Sequence, residues 1–269
     1  MTARGTDLYR EGNLTGAITA LTEDVKKKPT DEAARALLAE MLFFEGALDR
    51  ADTQLNAISN LHPDKAVSIA LWRQLLRGAT AREQLFTEGR VPEFLTPPGE
   101  HVKKILRALV ELREGSDTAA AELLAQAEEE RPPVSGRLEG NSFSDMRDMD
   151  DLFAPVMEVF TSTGKYFWVP LESIETVTFE PPTRPIDLLW RQAAMTVRDG
   201  TDGVVYIPAI YPPLPGDDTR EDGLKLGRAT DWQETPAGVF RGRGQRSFLI
   251  GDEDVPVMSI TEIVINAPN

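Results

Sequence analysis

The chain has 269 residues, 41% of them apolar, and a formal net charge of −15. This length is enough for two domains with buried cores, and the acidic charge makes a phosphate backbone an unfavourable partner, so we expect no nucleic acid to bind. Cysteine is absent, which excludes disulfides, thiolate metal sites and thiol nucleophiles. The sequence shows neither a basic leader before an apolar stretch nor a membrane-length apolar run, so we expect a cytoplasmic protein with no membrane partner.

A pattern recurs three times in the first half of the chain. Each copy has a Glu-Gly dipeptide, with a small residue seven positions before the Gly and with Ala, Leu and Pro five, nine and seventeen positions after it. Small residues let two antiparallel helices approach closely, Gly allows the turn, and Pro ends the second helix. The first two glycines are 34 residues apart, a spacing that resembles the tetratricopeptide repeat. The glycines, small residues and leucines are Gly12, Gly46, Gly115, Gly5, Ala17, Leu21, Ala39, Ala51, Leu55, Ala108, Ala120 and Leu124.

The interval between the second and third copies is close to two periods. Its residues have the periodicity of two helices, Ala66 to Arg77 and Ala81 to Glu88. We therefore predict four helical pairs, one of them degenerate, in a TPR-like helical repeat domain (an α-solenoid) over residues 1–133. A stretch rich in Pro, Gly and polar residues, 131–142, is the predicted linker.

Beyond the linker the hydrophobic pattern becomes strand-like. We predict an α+β protein of two domains, in which residues 145–269 form a mostly β, barrel-like domain with one or two helices. The predicted helices are Ile186 to Val197, with an optional short one over Asp145 to Phe153. The predicted strands are Val156 to Thr161, Tyr166 to Val169, Ile174 to Phe179, Gly203 to Ile207, Gly238 to Arg241, Ser247 to Ile250 and Ile260 to Ile265.

Residues with catalytic or metal-binding chemistry are few. The two histidines, His62 and His101, stand at a repeat end and after a Pro-Pro-Gly-Glu stretch, where a solvated or capping role is usual. The acidic clusters, such as Asp145, Asp148, Asp150 and Asp151, lack the spacing of a calcium loop, and solvated loops explain them. We therefore predict no catalytic residue, no metal and no cofactor.

Aromatic residues on the first helices of the repeats are candidates for binding a partner. The first helices of such solenoids line the concave surface, where aromatic side chains receive an amphipathic peptide or helix. Packing between repeats is the alternative, and it is the more common location for any single aromatic. The candidates are Tyr9, Phe43, Phe44 and Trp72.

Five short stretches of the second half carry a resemblance to one family. In order they are Gly164 to Pro170 (GKYFWVP), Arg184 to Arg191 (RPIDLLWR), Tyr206 to Pro212 (YIPAIYP), Leu226 to Trp232 (LGRATDW) and Gly244 to Arg246 (GQR). This order resembles the ImpE/TagJ (SciE-type) accessory proteins of bacterial type VI secretion systems. Those proteins also begin with a short helical-repeat domain, so the resemblance covers essentially the whole chain.

The resemblance implies a non-enzymatic cytoplasmic protein. Its partners would be the small subunit of the contractile sheath, bound through an amphipathic helix, and in some systems the AAA+ ATPase that disassembles the sheath. The charged and Trp residues of the stretches either form an internal network, the commoner arrangement, or contact the partner. They are Asp187, Trp190, Arg191, Arg228, Thr230, Asp231, Trp232, Gln245 and Arg246.

Two other functions remain open on the residues themselves. One is a chaperone-like protein that holds peptides with broad specificity. The other is an enzyme of the β domain, in which Asp231 with Arg228 or Arg246 would act on a small anionic substrate.

Overall fold

The computed structural model describes residues 3–214 and 220–267. Its first half is helical because the apolar residues recur at helical spacing and the helix ends carry matching caps, such as Asn13 Oδ1 accepting from Gly16 N–H at 2.6 Å. The helices are α1 (Ala3–Arg10), α2 (Leu14–Lys27), α3 (Glu32–Glu45), α4 (Leu48–Leu61), α5 (Ala66–Thr87), α6 (Glu100–Arg113) and α7 (Asp117–Glu130).

The repeat pattern corresponds to three antiparallel helical pairs, α1/α2, α3/α4 and α6/α7. Gly12, Gly46 and Gly115 stand at the turns with φ of 86°, 77° and 76°, a conformation that side-chain-bearing residues rarely adopt. The small residues lie where the helices touch: Ala39 is fully buried, and a Cβ on Gly5 would stand 2.5 Å from Leu21 Cγ. The prediction of a TPR-like helical half is confirmed.

The prediction of a fourth, degenerate pair is wrong. The two helices expected between residues 66 and 88 are one helix, α5, of 22 residues. Gly78 does not make a turn there; it keeps the helical backbone and leaves room for Phe160, whose ring carbons lie 3.0 Å from the position of the missing Cβ. In the described part of the chain, neither α5 nor any other helix is long and apolar enough to cross a bilayer.

The second half is sheet-rich, because its apolar residues alternate with polar ones along short antiparallel strands. An eight-stranded sheet has the order β2-β1-β13-β6-β7-β8-β4-β5, β9 pairs with β10, and β11 lies between β12 and β3. The strands are β1 (Gly136–Leu138), β2 (Asn141–Phe143), β3 (Met146–Asp148), β4 (Val156–Thr161), β5 (Tyr166–Pro170), β6 (Ile174–Phe179), β7 (Trp190–Val197), β8 (Asp202–Pro208), β9 (Thr230–Glu234), β10 (Phe240–Gly244), β11 (Ser247–Ile250), β12 (Glu253–Pro256) and β13 (Glu262–Ile265).

Several expectations for this half are corrected. The large sheet is open rather than a closed barrel, because β2 and β5 end it and do not pair with each other. The helix expected at 186–197 is a short 3₁₀ turn, Pro185–Leu188, followed by β7. Burial alternates along β7 with a period of two, which outweighs the helical spacing of Leu188 and Leu189 with Ala193. Residues 145–153 form β3 and turns instead of a helix. A short helix, α8 (Asp222–Lys225), was not expected.

The segment expected to be a linker, 131–142, is also structured. The last repeat helix, α7, ends at Glu130, and β1 begins at Gly136 and pairs with β13 near the end of the chain. Where one domain ends and the other begins within this segment stays a prediction.

The two halves share a hydrophobic core. Phe153, Phe160, Trp168 and Trp190 of the sheet-rich half pack in one apolar cluster with the helices, while a second cluster fills the inside of the sheet-rich half. Helices α3 and α5 supply most contacts from the helical side, and α1 adds Tyr9, whose ring centroid lies 5.1 Å from the guanidinium carbon of Arg228. We call the shared surface of α1, α3 and α5 the inner face. The inner face of the solenoid is thus the surface on which the C-terminal half is packed.

Candidate functional site

The aromatic residues predicted to contact a partner lie on the inner face, largely covered by the C-terminal half. Phe43, Phe44 and Trp72 are 3%, 4% and 7% exposed, and Tyr9 is half-buried. The ring of Phe43 lies 4.8 Å from the ring of Trp190. The expectation that these side chains face an open groove is therefore corrected, because they pack between the two halves of the same chain. Their contact with a partner stays a prediction.

The turn before β7 covers part of the inner face. Its Arg184 stacks over Trp72, with 4.5 Å between the guanidinium carbon and the ring centroid, and its Nη2 lies 3.3 Å from Glu40 Oε1. Asp187 holds the turn by accepting from the backbone N–H of Thr183 and Arg184 at 2.8 and 2.9 Å. This turn thus occupies the position that a bound peptide would take in an open solenoid.

Glu40 is an acid in an apolar position. It is 3% exposed on α3, and burial raises the pKa of its carboxyl to about 7, although the attraction of Arg184 opposes that shift. The contact between the halves therefore includes a carboxyl group that changes charge near neutral pH.

A buried ion-pair network joins the halves at α5. Arg82 binds Glu158 of β4 with both nitrogens, at 2.7 Å from Nε to Oε1 and 2.6 Å from Nη2 to Oε2. Arg246, fully buried, also binds Glu158 and lies 3.3 Å from Asp148 Oδ2. Burial would raise the pKa of Glu158, but the two arginines hold it below its usual range, and Arg246 itself stays charged. Glu158 is therefore a buried carboxylate that depends on both arginines.

The acidic cluster expected to be solvated is in fact largely buried. Asp148 and Asp150 are fully buried. Asp150 accepts from Arg241 Nε at 3.0 Å and from Gly242 N–H at 2.9 Å, while Asp148 accepts from Tyr211 Oη at 2.7 Å. Burial raises the pKa of Asp148 to about 7, against the attraction of Arg246. The cluster is structural because arginines and backbone N–H groups on neighbouring strands supply its partners.

Sequence reasoning missed Arg82, Glu158 and Arg241. The available signal was a single charge inside an apolar stretch: Glu158 stands in Val-Met-Glu-Val-Phe, and a charge in such a strand needs a buried partner. Choosing that partner needs the three-dimensional fold, since Arg82 and Arg246 are 76 and 88 residues away in sequence.

The other residues of the family stretches hold the C-terminal half together. Arg191 donates to the carbonyl of Val257 and stacks on Phe179. Trp232 lies 5.8 Å from Tyr211, ring to ring. Gln245 donates to the carbonyl of Gly227, and Thr230 Oγ1 donates to the carbonyl of Gln245. Asp231 pairs with Arg243. Trp190 is buried beside Phe160 and also contacts Phe43 of the helical half.

Arg228 reaches back to the first repeat. Its Nη1 and Nη2 donate to the carbonyl oxygens of Arg10 and Tyr9 at the end of α1, at 2.8 and 2.5 Å. Asp222 of α8 accepts from the N–H of Thr15 at 3.1 Å, at the start of α2. The positive side chain at a helix C-terminus and the negative one at a helix N-terminus both complement the helix dipoles.

The residues of the enzyme alternative are engaged in these structural contacts. Arg228 serves α1, Arg246 is buried with Asp148 and Glu158, and Asp231 pairs with Arg243 at 2.9 Å. Among the described residues there is also no group of acids and histidines arranged to hold a metal ion.

The histidines differ from expectation in one case. His62 is half-buried and lies 3.9 Å from Glu32 at a repeat end. His101, expected to be solvated or capping, is buried, with Nε2 3.1 Å from Glu172 of the sheet-rich half. It forms another contact between the halves.

A cleft of about 400 Å³ opens between the halves beside α3 and α5. Its walls are aromatic and its border is charged: Lys225 of α8 binds Glu45 of α3 at 2.8 Å across it. The aromatic walls are Phe43, Phe44, Phe86, Phe160, Trp190 and Tyr211. Two of the sequence-predicted partner residues, Phe43 and Phe44, thus line this cleft, whereas Trp72 and Tyr9 do not.

Known proteins resemble this chain over its whole length. Residues 140–264 match the model of the ImpE protein family, and residues 8–76 match a tetratricopeptide repeat. The type VI secretion system accessory component TagJ of Pseudomonas aeruginosa is 29% identical over 257 residues, which span 96% of this chain and 89% of that protein. The crystal structure of a Vibrio parahaemolyticus protein superimposes with a TM-score of 0.91 at 28% identity, covering 98% of each chain. The Vibrio parahaemolyticus protein therefore shares the arrangement of a repeat solenoid packed against a sheet-rich domain, and residues 140–264 of this chain belong to the ImpE family.

Proposed function

We propose that this protein is a non-enzymatic accessory component of a bacterial type VI secretion system, which acts in the cytoplasm by binding the small subunit of the contractile sheath. The observation that carries the proposal is the similarity to the accessory component TagJ along 96% of the chain. Because that similarity includes both the repeats and the ImpE domain, it supports a shared role for the whole molecule. The AAA+ ATPase that disassembles the sheath is a second proposed partner.

The cleft between the halves is the proposed site for an amphipathic helix of the sheath subunit. An α-helix is about 10–12 Å across with its side chains, so a cleft of about 400 Å³ takes the apolar side chains of one helix face rather than a whole helix. Helices recognised in this way present residues at spacings of three, four and seven. Phe44 and Phe86 would pack against those side chains, and the Lys225–Glu45 pair at the border would orient the polar face.

The described chemistry supports binding rather than turnover. The arginines and acids of the family stretches bind charged side chains elsewhere in the chain or backbone groups. Burial places Arg246 and Asp148 out of reach of a substrate. Aromatic side chains next to a solvent-accessible cavity are, by contrast, the usual anchors of a protein interface.

The test is isothermal titration calorimetry, in which purified small sheath subunit is titrated into this protein. We expect saturable binding, and we expect Phe86→Ala or Thr87→Arg, at half-buried and exposed positions of α5 on the cleft, to weaken it by about thirtyfold, the size of a hot-spot loss. Phe44→Ala should have a similar effect. Val67→Ala, at a position of the same helix that is 85% exposed and away from the cleft, is the matched control and should bind normally.

Two outcomes would contradict the proposal. If neither sheath subunit nor the ATPase binds the native protein, the accessory role fails. If many unrelated denatured proteins bind with similar affinity, the chaperone-like alternative replaces it. Binding that survives all three cleft substitutions would keep the function and move the site.

A further inference from the structure

The hairpin formed by β9 and β10 has two edges that differ in their hydrogen bonding. It is a separate two-stranded sheet, joined to the rest of the C-terminal half through β10. A two-stranded ribbon needs support from its surroundings to be stable. Here that support reaches one strand and leaves the other open.

The outer edge of β10 has hydrogen-bond partners at Phe240, Gly242 and Gly244. The N–H of Phe240 donates to Asp151 Oδ2 at 2.7 Å, and the N–H of Gly242 donates to Asp150 Oδ2 at 2.9 Å. The carbonyl of Gly244 accepts from the N–H of Tyr211 at 2.9 Å. Two carboxylates and a loop thus act in place of a third strand.

The outer edge of β9 is the opposite case. Thr235 N–H donates to the carbonyl of Val239, and Gln245 N–H donates to the carbonyl of Ala229, both at 2.9 Å. Along an antiparallel pair, residues alternate between those whose backbone groups bond to the partner strand and those whose groups face away, so these two bonds fix which residues of β9 face β10. The backbone groups of Thr230, Trp232 and Glu234 therefore point away from β10. Within residues 3–214 and 220–267, none of these groups has a backbone or side-chain partner.

The side chains along β9 are also exposed, apart from Trp232, which is half-buried against Tyr211. Soluble proteins commonly protect such an edge with Lys, Pro, a bulge or a covering loop. The sequence Thr-Asp-Trp-Gln-Glu has neither Lys nor Pro, and its register with β10 is continuous over five pairs. An open, regular and uninterrupted edge is suited to accepting another strand.

We propose that the outer edge of β9 binds an extended basic segment of a partner protein, which adds to the hairpin as a third strand. The charges favour a basic segment, because Glu234 is exposed on β9, Asp231 offsets the charge of Arg243 across the hairpin, and the chain has a net charge of −15. A second copy of this chain is disfavoured for the same reason, since it would bring two more carboxylates to the new strand pair. None of the β9 residues lines the cleft, so this surface is distinct from the proposed helix site.

The test uses an eight-residue peptide that alternates Lys with Val or Thr, and a matched peptide with Glu in place of Lys. Amide hydrogen exchange followed by NMR reports each backbone group separately. In the free protein, we expect the N–H groups of Asp231 and Gln233, which pair with β10, to exchange slowly and those of Thr230, Trp232 and Glu234 to exchange fast. The basic peptide should slow these three at least about tenfold, and the acidic peptide should leave them unchanged.

Substitutions separate strand addition from simple charge attraction. Glu234→Pro removes an outward N–H without breaking a bond to β10, so the hairpin should persist while peptide protection of Trp232 is lost. Glu234→Thr keeps the N–H and should lose only a few-fold in affinity. Slow exchange of the outward N–H groups in the free protein would overturn the proposal. If this protection does not depend on protein concentration, a segment of the same chain covers the edge; if it increases with concentration, a second copy does. Equal effects of the two peptides, or of the Pro and Thr variants, would overturn it as well.

Discussion

Arg82 of α5 and Glu158 of β4 form a two-bond ion pair that crosses from the solenoid to the ImpE domain. The side chain of Glu158 is completely buried and that of Arg82 is 13% exposed, which makes this pair unlike the surface ion pairs along the repeats. The pair thereby fixes the solenoid to the sheet near the C-terminal end of its longest helix, α5.

Removing Arg82 should destabilise the whole chain. Arg82→Ala leaves Glu158 with Arg246 as its remaining arginine, and breaking one side of a buried pair costs about 3–5 kcal/mol. The control is Arg73→Ala, because Arg73 forms a similar two-bond pair with Asp52 that is more than a third exposed; surface pairs contribute about 0–1 kcal/mol. The measurement is urea unfolding, and equal losses in the two variants would show that Glu158 is not dependent on Arg82.

Enlarging a small residue between paired helices should also destabilise the fold. Ala39 is fully buried on α3, so Ala39→Leu must force three extra carbons into a closed contact, at a cost of about 1–3 kcal/mol. Ala33→Leu, at an exposed position of the same helix, should change the free energy of unfolding by less than about 0.5 kcal/mol. Thermal unfolding of both variants distinguishes a contact position from a tolerant one.

Gly244 should not accept a side chain. Its φ is 80°, and a Cβ there would lie 2.1 Å from the carbonyl oxygen of Ala229. Gly244→Ala therefore combines backbone strain with a collision against backbone, and we expect a loss above about 2 kcal/mol. Gly238→Ala has a similar φ of 82° but open space around it, so it should show only the strain, about 1 kcal/mol. Similar losses in the two variants would remove the steric argument.

Glu40 should make stability depend on pH in an unusual direction. Its pKa is about 7 in the folded chain against an ordinary 4.5, so the folded state binds the proton more tightly than the unfolded state. The contribution of Glu40 to stability is therefore full below pH 4.5 and falls as pH rises to 7, by up to about 3 kcal/mol. Glu40→Gln should lose this slope. Denaturant unfolding of the native protein and of Glu40→Gln at pH 5 and pH 8 measures the slope. If the difference in unfolding free energy between the two proteins is the same at both pH values, the assignment is contradicted.

Part of this structure follows from local sequence signals, and part does not. The glycine turns and buried alanines of the repeats were predictable because each depends on residues fewer than 20 positions apart. β7 was misassigned because Leu188 and Leu189 have helical spacing with Ala193, while the register with β6 and β8 decides the strand. The burial of Phe43 and Trp72 was not predictable either, since it depends on Arg184 and Trp190 more than 100 residues away. Long-range partners determine such sites, and one sequence does not specify them.

Solenoids usually vary by gaining or losing repeats, since each unit contacts only its neighbours. Here the ImpE domain contacts both ends of the solenoid. Arg228 binds α1, and Arg147 lies 3.2 Å from Glu128 of α7. The distance between these two contacts is set by the fold of the ImpE domain. An inserted repeat would separate one end of the solenoid from its contact, so the number of helices in this protein is fixed by the width of the domain packed inside it.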